Sequence, residues 1–249
     1  MSKTVLITGS ARRLGRAFAL EFARKGWNIV LHHHASPERA EQTLQEILSY
    51  NVRAIILKGD LRVEQDIVRF MDEAFEKMGS IDVLVNNAGV FPDPYTLENT
   101  STELWDSVND VNTKAQFLTA REFVRKTKIV ESDNGILKRI INIASLGGIE
   151  TWKKRISYNV SKSSSIQLTK SLAAELAPSF SVNCICPGAI IQPDDFAEQD
   201  AGLIPEKRIP MLRYGTASDI FDALYFFSTC SPYITGQIMI IDGGYHLSR

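Results

Sequence analysis

The chain has 249 residues, enough for one large α/β domain or two modest ones, and enough to bury a core without a disulfide or metal staple. Hydrophobic residues make up 44% and charged residues 23%, and 28 Lys plus Arg stand against 29 Asp plus Glu for a formal net charge of −1. These values exclude a disordered chain and argue against a broad nucleic-acid-binding surface, although a local basic patch could still hold one phosphate.

Met1 to Thr4 leads directly into a strand pattern and has no apolar signal region, so no secretory signal is expected. Val5-Leu6-Ile7 is an apolar run ended by Thr8-Gly9, and Leu14 to about Lys25 follows with helical spacing. Asn28 to His33 reads as a second strand. Ser36-Pro37 then opens a helix to about Tyr50, with Ser36 at the N-cap. Arg53–Lys58 is a third strand, Glu64–Met78 a third helix and Ile81–Val85 a fourth strand. Helical patterns cover Ser101 to Lys128, followed by a strand at Arg139–Ala144 and a long helix from Ser157 to Ala177. Ser181–Cys186 is a sixth strand, Ala217–Thr229 is helical, and Gln237–Ile241 is a last strand before Asp242-Gly243-Gly244. No apolar run approaches the ~18 residues of a membrane span.

Strands alternate with helices, and most strands are apolar runs rather than polar/apolar alternations. That pattern predicts one α/β domain over residues 1–249, a Rossmann-type doubly wound parallel sheet with helices on both faces. The long irregular stretch over residues 189–215 is expected to be a substrate lid. Cys184 and Cys186 lie on one strand face with poor disulfide geometry, and Cys230 stands alone. All three read as buried small hydrophobes in a reducing, cytoplasmic setting. No metal site is expected. His32 and His34 share a strand face that His33 does not, and no cysteine or acid joins them.

Ligands of such sheets bind beyond the carboxyl ends of the strands. There the chain reads Thr8-Gly9-Ser10-Ala11-Arg12-Arg13-Leu14-Gly15: small residues that let backbone approach a pyrophosphate at a helix N-terminus. NAD-binding folds place an acid about 20 residues after the first glycine, on the ribose hydroxyls. Here that stretch is Leu31-His32-His33-His34-Ala35-Ser36, and the first acid is Glu38. An acid would repel a 2′-phosphate, and its absence permits one. Arg13 adds a fixed cation, and His34 and Ser36 add donors, so NADP is expected over NAD.

Tyr158 and Lys162 are four apart on the long helix and therefore neighbours on one face. A free tyrosine has a pKa near ~10, and an adjacent ammonium lowers it toward the working range of an acid–base catalyst. Ser145 sits thirteen residues upstream of Tyr158, just past the fifth strand, where its hydroxyl can hold a carbonyl beside the phenol.

The series of Thr8–Gly15, Asp60-Leu61, Asn86-Asn87-Ala88-Gly89, Asn112, Ser145, Tyr158/Lys162 and Pro187-Gly188 resembles the short-chain dehydrogenase/reductase family across nearly the whole chain. The resemblance implies that Tyr158 protonates a carbonyl oxygen as hydride arrives from the nicotinamide. Ser145 would orient and polarise that carbonyl. Lys162 would lower the tyrosine pKa and bind the nicotinamide ribose, and Asn112 would hold a relay water. It further implies cofactor contacts at Gly9, Arg13, Leu14, Gly15, His34, Ser36, Asp60, Leu61, Asn87, Ala88, Gly89, Tyr158, Lys162, Pro187 and Gly188. A homotetramer paired through the long helices and final strands is also implied.

Some features are similar to pteridine reductases within the family: Arg13 in place of a middle glycine, the His32–His34 run, Phe91 as an aromatic for stacking on a pterin, and the tail through Asp242-Gly243-Gly244 to Arg249. Those enzymes carry an aspartate where this chain has Ser145, and a basic residue often follows the histidines where this chain has Ala35. Ser145 matches the general carbonyl-reductase set. NADPH-dependent reduction of a 3-oxoacyl thioester or small ketone is therefore the first expectation, with Phe91 and Ser145 facing substrate. Pterin reduction comes second and a non-catalytic nucleotide-binding regulator third.

Overall fold

The structure, a computed structural model, describes residues 2–130, 138–191 and 205–248. Seven strands form one sheet in the order β3-β2-β1-β4-β5-β6-β7, and every pairing is parallel. They are β1 Thr4–Ile7, β2 Asn28–His33, β3 Ala54–Lys58, β4 Val83–Asn86, β5 Lys138–Ile143, β6 Phe180–Pro187 and β7 Ile238–Ile241. The helices are α1 Arg13–Arg24, α2 Pro37–Leu48, α3 Glu64–Met78, α4 Thr102–Asn109, α5 Ala115–Val130, α6 Ile156–Leu176 and α7 Ala217–Thr229. No described helix is long and apolar enough to cross a membrane.

Side-chain alternation along the buried strands divides the core into two layers. Val5, Ile7, Ile29, Leu31, Val83 and Val85 face one layer with Phe18 and Phe22 of α1 and Phe221 and Leu224 of α7. Leu6, Val30, Leu84, Ile140 and Val182 face the other, with Phe70 of α3, Phe123 of α5 and Ala173 of α6. This explains the continuous apolar runs: a strand covered on both sides has no solvent face. Each fully buried Phe or Leu contributes roughly 1.5–3 kcal/mol of transfer free energy. The strand order reverses between β1 and β4, so the loops after these strands diverge and open a crevice.

Two local expectations need correction, and a third gains detail. Ser36 occupies the N-cap of α2, but its side chain makes no capping hydrogen bond; Pro37 in the first turn starts the helix instead. The helical patterns expected over Ser101 to Lys128 run unbroken from Thr102 to Val130, in three segments. Ser101 caps α4 by accepting from the Leu104 N–H, and a π-helical turn, Asp110–Lys114, separates α4 from α5. The other correction concerns His34, expected on the strand face of His32: it lies past the end of β2 and is exposed, while His32 and His33 are both buried. Of the expected lid, residues 192–204 lie outside the described residues, as does Arg249. The described flanks are tied together by the Ile190–Gly215 bridge, and Ile209 is buried against Leu146 and Tyr245.

Candidate active site

The turn between β1 and α1 is shaped by contacts that only small residues allow. A Cβ on Gly15 would lie 2.3 Å from the Gly9 carbonyl oxygen and 2.6 Å from Nδ2 of Asn87. Gly9 has φ +64° and packs against Ala88, where an added Cβ would meet Cα and Cβ at 3.1 Å. Arg13 also has positive φ, +51°, the conformation a middle glycine would supply. The first turn of α1 has no acid and no side-chain cap, so its N–H groups and partial positive charge suit a pyrophosphate. Leu14 packs its side chain into the core behind this turn.

His32 fastens the turn from below. Its Nδ1 accepts from the Gly9 N–H at 3.1 Å, which makes Nε2 the donor to the Gly59 carbonyl at 3.1 Å. Burial lowers its pKa to about 4, so the ring is neutral near pH 7. His34 lies 3.6 Å from the Asp60 carboxylate, which also accepts from Arg62 at 2.6 Å. The Arg62 side chain is the main cause holding Asp60 at about 2. Leu61 is buried beneath this cluster. The histidine run is therefore split between a structural bracket and an exposed polar group. Among the described residues, no three potential ligands gather for a metal.

The segment after β4 connects the two halves of the site. Thr8 Oγ1 accepts from the N–H groups of Asn87 and Ala88, both at 3.0 Å, and Asn87 Nδ2 donates to the Thr8 carbonyl at 2.9 Å. At Gly89 a Cβ would be 3.2 Å from Asn112 Oδ1 and 3.3 Å from Lys162 Nζ. Asn112 sits in the π-helical turn, fully buried. Its Oδ1 accepts from the Val90 N–H at 2.8 Å, and its Nδ2 donates to the Val90 carbonyl and to Ser161 Oγ, each at 3.0 Å. Asn112 thus clamps the β4 loop onto α6. The extra residue of a π turn re-aims a side chain in this way, and such turns occur frequently at functional sites.

Tyr158, Lys162 and Ser145 converge at the other side. Lys162 Nζ donates to the Ile143 carbonyl at the end of β5, at 3.1 Å, and lies 5.8 Å from the centre of the Tyr158 ring. Burial lowers the Lys162 pKa to about 8. Ser145 follows β5 and accepts from the Gly147 N–H at 3.1 Å. The turn it opens rests against α6: a Cβ on Gly147 would lie 3.1 Å from Tyr158 Cε1, and one on Gly148 would lie 2.6 Å from the Lys162 carbonyl carbon. Pro187 ends β6, and Gly188 donates its N–H to Ile241. A Cβ on Gly188 would approach Asp242 to 2.6 Å. Cys184 and Cys186 are buried free thiols with Sγ atoms 3.9 Å apart.

Aromatic groups wall the site. The Phe91 ring meets the Tyr158 ring edge-on at 4.6 Å, and Trp152 lies nearly parallel to Tyr158 at 6.1 Å. Trp152 and Arg155, which packs over Phe91, were missed by motif reading because they belong to an irregular loop. A second missed feature is a buried polar chain. Thr119 Oγ1 donates to Asn86 Oδ1 at 2.7 Å, Asn86 Nδ2 to Asn142 Oδ1 at 3.0 Å, and Asn142 Nδ2 to Thr169 Oγ1 at 2.9 Å. It fastens α5, β4, β5 and α6 to one another beneath the site. A lone asparagine inside the apolar run Ile140–Ile143 was the available signal.

The doubly wound sheet with a Gly-rich turn and a Tyr/Lys/Ser cluster at its carboxyl edge defines a nucleotide-dependent oxidoreductase class. Residues 9–246 match a family profile described as enoyl-(acyl carrier protein) reductase. The chain is 31% identical over 252 residues to 3-oxoacyl-[acyl-carrier-protein] reductase FabG of Staphylococcus aureus, covering 99% of both chains. The corresponding Staphylococcus epidermidis enzyme is 31% identical over 255 residues, with 99% and 100% covered. Among solved structures, acetoin dehydrogenase YohF from Salmonella typhimurium has a TM-score of 0.88 at 29% identity, covering 100% of this chain and 99% of that one. An NADH-dependent reductase A1-R′ of alginate metabolism has a TM-score of 0.87 at 26% identity, with 98% and 97% covered. The chain belongs to the short-chain dehydrogenase/reductase family, and it is an oxidoreductase that reduces a carbonyl.

Proposed function

We propose that the chain is an NADPH-dependent reductase of a 3-oxoacyl thioester or small ketone, working as a single domain over residues 1–249. The observation that carries this reading is the convergence of Tyr158, Lys162, Ser145 and Asn112 where β4 and β5 end. When bound, the nicotinamide supplies hydride to the carbonyl carbon. Ser145 Oγ donates a hydrogen bond to the carbonyl oxygen and fixes it beside the phenol. Tyr158 gives its proton to that oxygen as negative charge develops there. The Lys162 ammonium favours the phenolate left behind, and in this buried setting its charge acts more strongly than in water. The ribose is held by Tyr158 and Lys162. Asn112 keeps the β4 loop and α6 in register, and a water at its carbonyl returns the proton.

Gly9, Leu14 and Gly15 hold the pyrophosphate by close backbone approach. Asp60 and Leu61 would flank the adenine, Asn87 to Gly89 would line the ribose side, and Pro187-Gly188 would face the nicotinamide. Arg13, His34 and Ser36 would hold the 2′-phosphate of NADPH. Two features support this: the Ser36 hydroxyl is not spent on capping α2, and the charge of Asp60 is already met by Arg62. Tyr158→Phe is expected to keep cofactor affinity and lose roughly 10²–10⁴-fold in turnover; turnover like that of the unaltered enzyme would refute the assignment. NADPH is expected to titrate tighter than NADH, and coincident binding curves would refute the phosphate site.

The half-buried Phe91 beside Tyr158 favours pterin reduction as a second reading. One panel separates the two: an acetoacetyl thioester, small ketones and a dihydropterin, followed by NADPH oxidation. Turnover of the dihydropterin alone reverses the order. A non-catalytic regulator is the weakest reading, because the tyrosine, lysine and serine are all retained. The same reading makes the enzyme cytoplasmic and homotetrameric.

A further inference from the structure

Trp152 is a residue that neither motif nor mechanism uses. It lies on the loop between Ser145 and Tyr158 and is half-buried. Its ring is nearly parallel to that of Tyr158, at 12° and 6.1 Å between centres, and close to perpendicular to that of Phe91, at 87° and 6.4 Å. The decisive contact is at Gly147, two residues after Ser145. A Cβ there would lie 3.0 and 3.1 Å from Cζ3 and Cε3 of Trp152, and 3.1 Å from Cε1 of Tyr158. Cε1 is bonded to the carbon that bears the phenol hydroxyl. The benzo edge of the indole therefore stands beside the reacting end of Tyr158, on the turn that Ser145 opens.

The indole is held from several sides. Leu146, Ile209 and Tyr245 form a buried apolar cluster against which Trp152 packs. Its carbonyl accepts from Asn159 Nδ2 at 2.9 Å, which ties the loop to the start of α6. The Tyr95 N–H donates to the Lys154 carbonyl at 2.9 Å, which ties the same loop to the segment after Phe91. Within the loop, Trp152 Nε1 donates to Glu150 Oε2 at 3.4 Å. A ring fixed by packing and by backbone in this way discriminates by shape, because it cannot step aside for a larger ligand.

A carbonyl gripped by the Ser145 and Tyr158 hydroxyls carries two substituents, and the wall beside those hydroxyls decides how large each can be. We infer that Trp152 is a specificity-determining residue that limits one substituent to about the size of a methyl group, so that methyl ketones and acetoacetyl compounds are preferred over longer chains. The indole edge takes the volume that a longer chain needs next to the reacting carbonyl. In a close-packed apolar wall, one extra methylene is discriminated by roughly 10–200-fold. This deepens the carbonyl-reductase reading and rests on it.

The test uses the whole enzyme with NADPH and, in parallel, NADH, on two substrate pairs. One pair is the acetoacetyl and butyrylacetyl thioesters of N-acetylcysteamine; the other is methyl propyl ketone and dipropyl ketone. Each pair replaces a methyl by a propyl group beside the carbonyl. The unaltered enzyme is expected to favour the methyl member of each pair by at least about 10-fold in kcat/KM. Trp152→Ala is expected to narrow that ratio below about 3-fold by raising kcat/KM for the propyl members, a gain that loss of structural support does not produce. Trp152→Phe should fall between them, and Trp152→Leu replaces the Ala variant if that one does not fold. Equal use of methyl and propyl members by the unaltered enzyme overturns the proposal and leaves the carbonyl reading standing. So does an unchanged ratio in the variants, with or without a parallel loss of rate, which would make Trp152 a support for Tyr158 only. No turnover of any of the four substrates with either cofactor overturns both.

Discussion

At the scale of single residues, burial determines which groups are charged, and this gives two pH dependences. Burial pulls Lys162 down to about 8, so it is protonated at neutral pH and releases its proton as pH rises through about 8. If its charge supports Tyr158, reduction measured as kcat/KM falls above that pH. Lys162→Arg, which cannot lose its proton, should remove that limb from whatever activity it keeps; an unchanged limb would assign it to another group. His32 works in the opposite range. Its pKa falls from 6.5 in the unfolded chain to about 4 in the fold, so the unfolded state binds more protons between those values. Stability is complete above pH 6.5 and is lost as pH falls through 4, by about 3 kcal/mol from this residue alone. His32→Asn should lose that slope in urea unfolding at pH 7 and pH 4.5, though it is less stable at pH 7 for want of the Gly9 and Gly59 bonds. Arg13 is a third case. Its φ of +51° costs roughly 1–2 kcal/mol that glycine would not incur. Arg13→Gly is expected to keep or gain stability in thermal unfolding while NADPH binding weakens toward that of NADH. Equal loss of both cofactors would show that Arg13 shapes the turn instead.

At the scale of elements, the sequence was readable wherever an element followed one local rule. Glu64–Met78 and Ala217–Thr229 begin and end where their spacing indicated, because amphipathic period and end signals agree there. In α7 the end signal is a capping box between Thr216 and Asp219. The π-helical turn at Asp110–Lys114 was not legible, since one inserted residue leaves apolar spacing almost unchanged. Its cause is tertiary: Asn112 must reach Val90 and Ser161 together. The β1–α1 turn was legible as Gly-rich, but sequence alone did not show that Gly15 is the tightest point. Gly15→Ala forces a Cβ against backbone at 2.3 Å and cannot be relieved by a side-chain rotation. It should lower the melting temperature by several degrees and weaken NADPH binding at least about 10-fold. Binding within error of the unaltered enzyme would show that the turn can open without consequence.

At the scale of the molecule, alternating strands and helices implied a doubly wound sheet, and the right-handed crossover rule leaves few alternatives for such a chain. What periodicity could not supply was the buried polar framework. Asn86, Asn142, Thr119 and Thr169 look like interruptions of apolar segments, yet their hydrogen bonds tie β5 to α6, the strand that Ser145 follows and the helix that carries Tyr158. Assembly is legible in the same indirect way. Ile156 and Val160, four apart on α6, are 38% and 41% exposed, and Phe117 on α5 is 44% exposed. Large apolar groups on the outer faces of long helices suit a contact with another copy. If the chain is a tetramer paired through these helices, sedimentation should give four chains per particle. Phe117→Asp with Val160→Asp should then yield smaller particles, because placing carboxylates in a dry interface costs several kcal/mol. Since both substitutions lie on exposed surface, each separated protomer should retain its helical circular-dichroism signal. Sedimentation of the unaltered protein as single chains at assay concentration would end the tetramer reading and return these residues to ordinary surface.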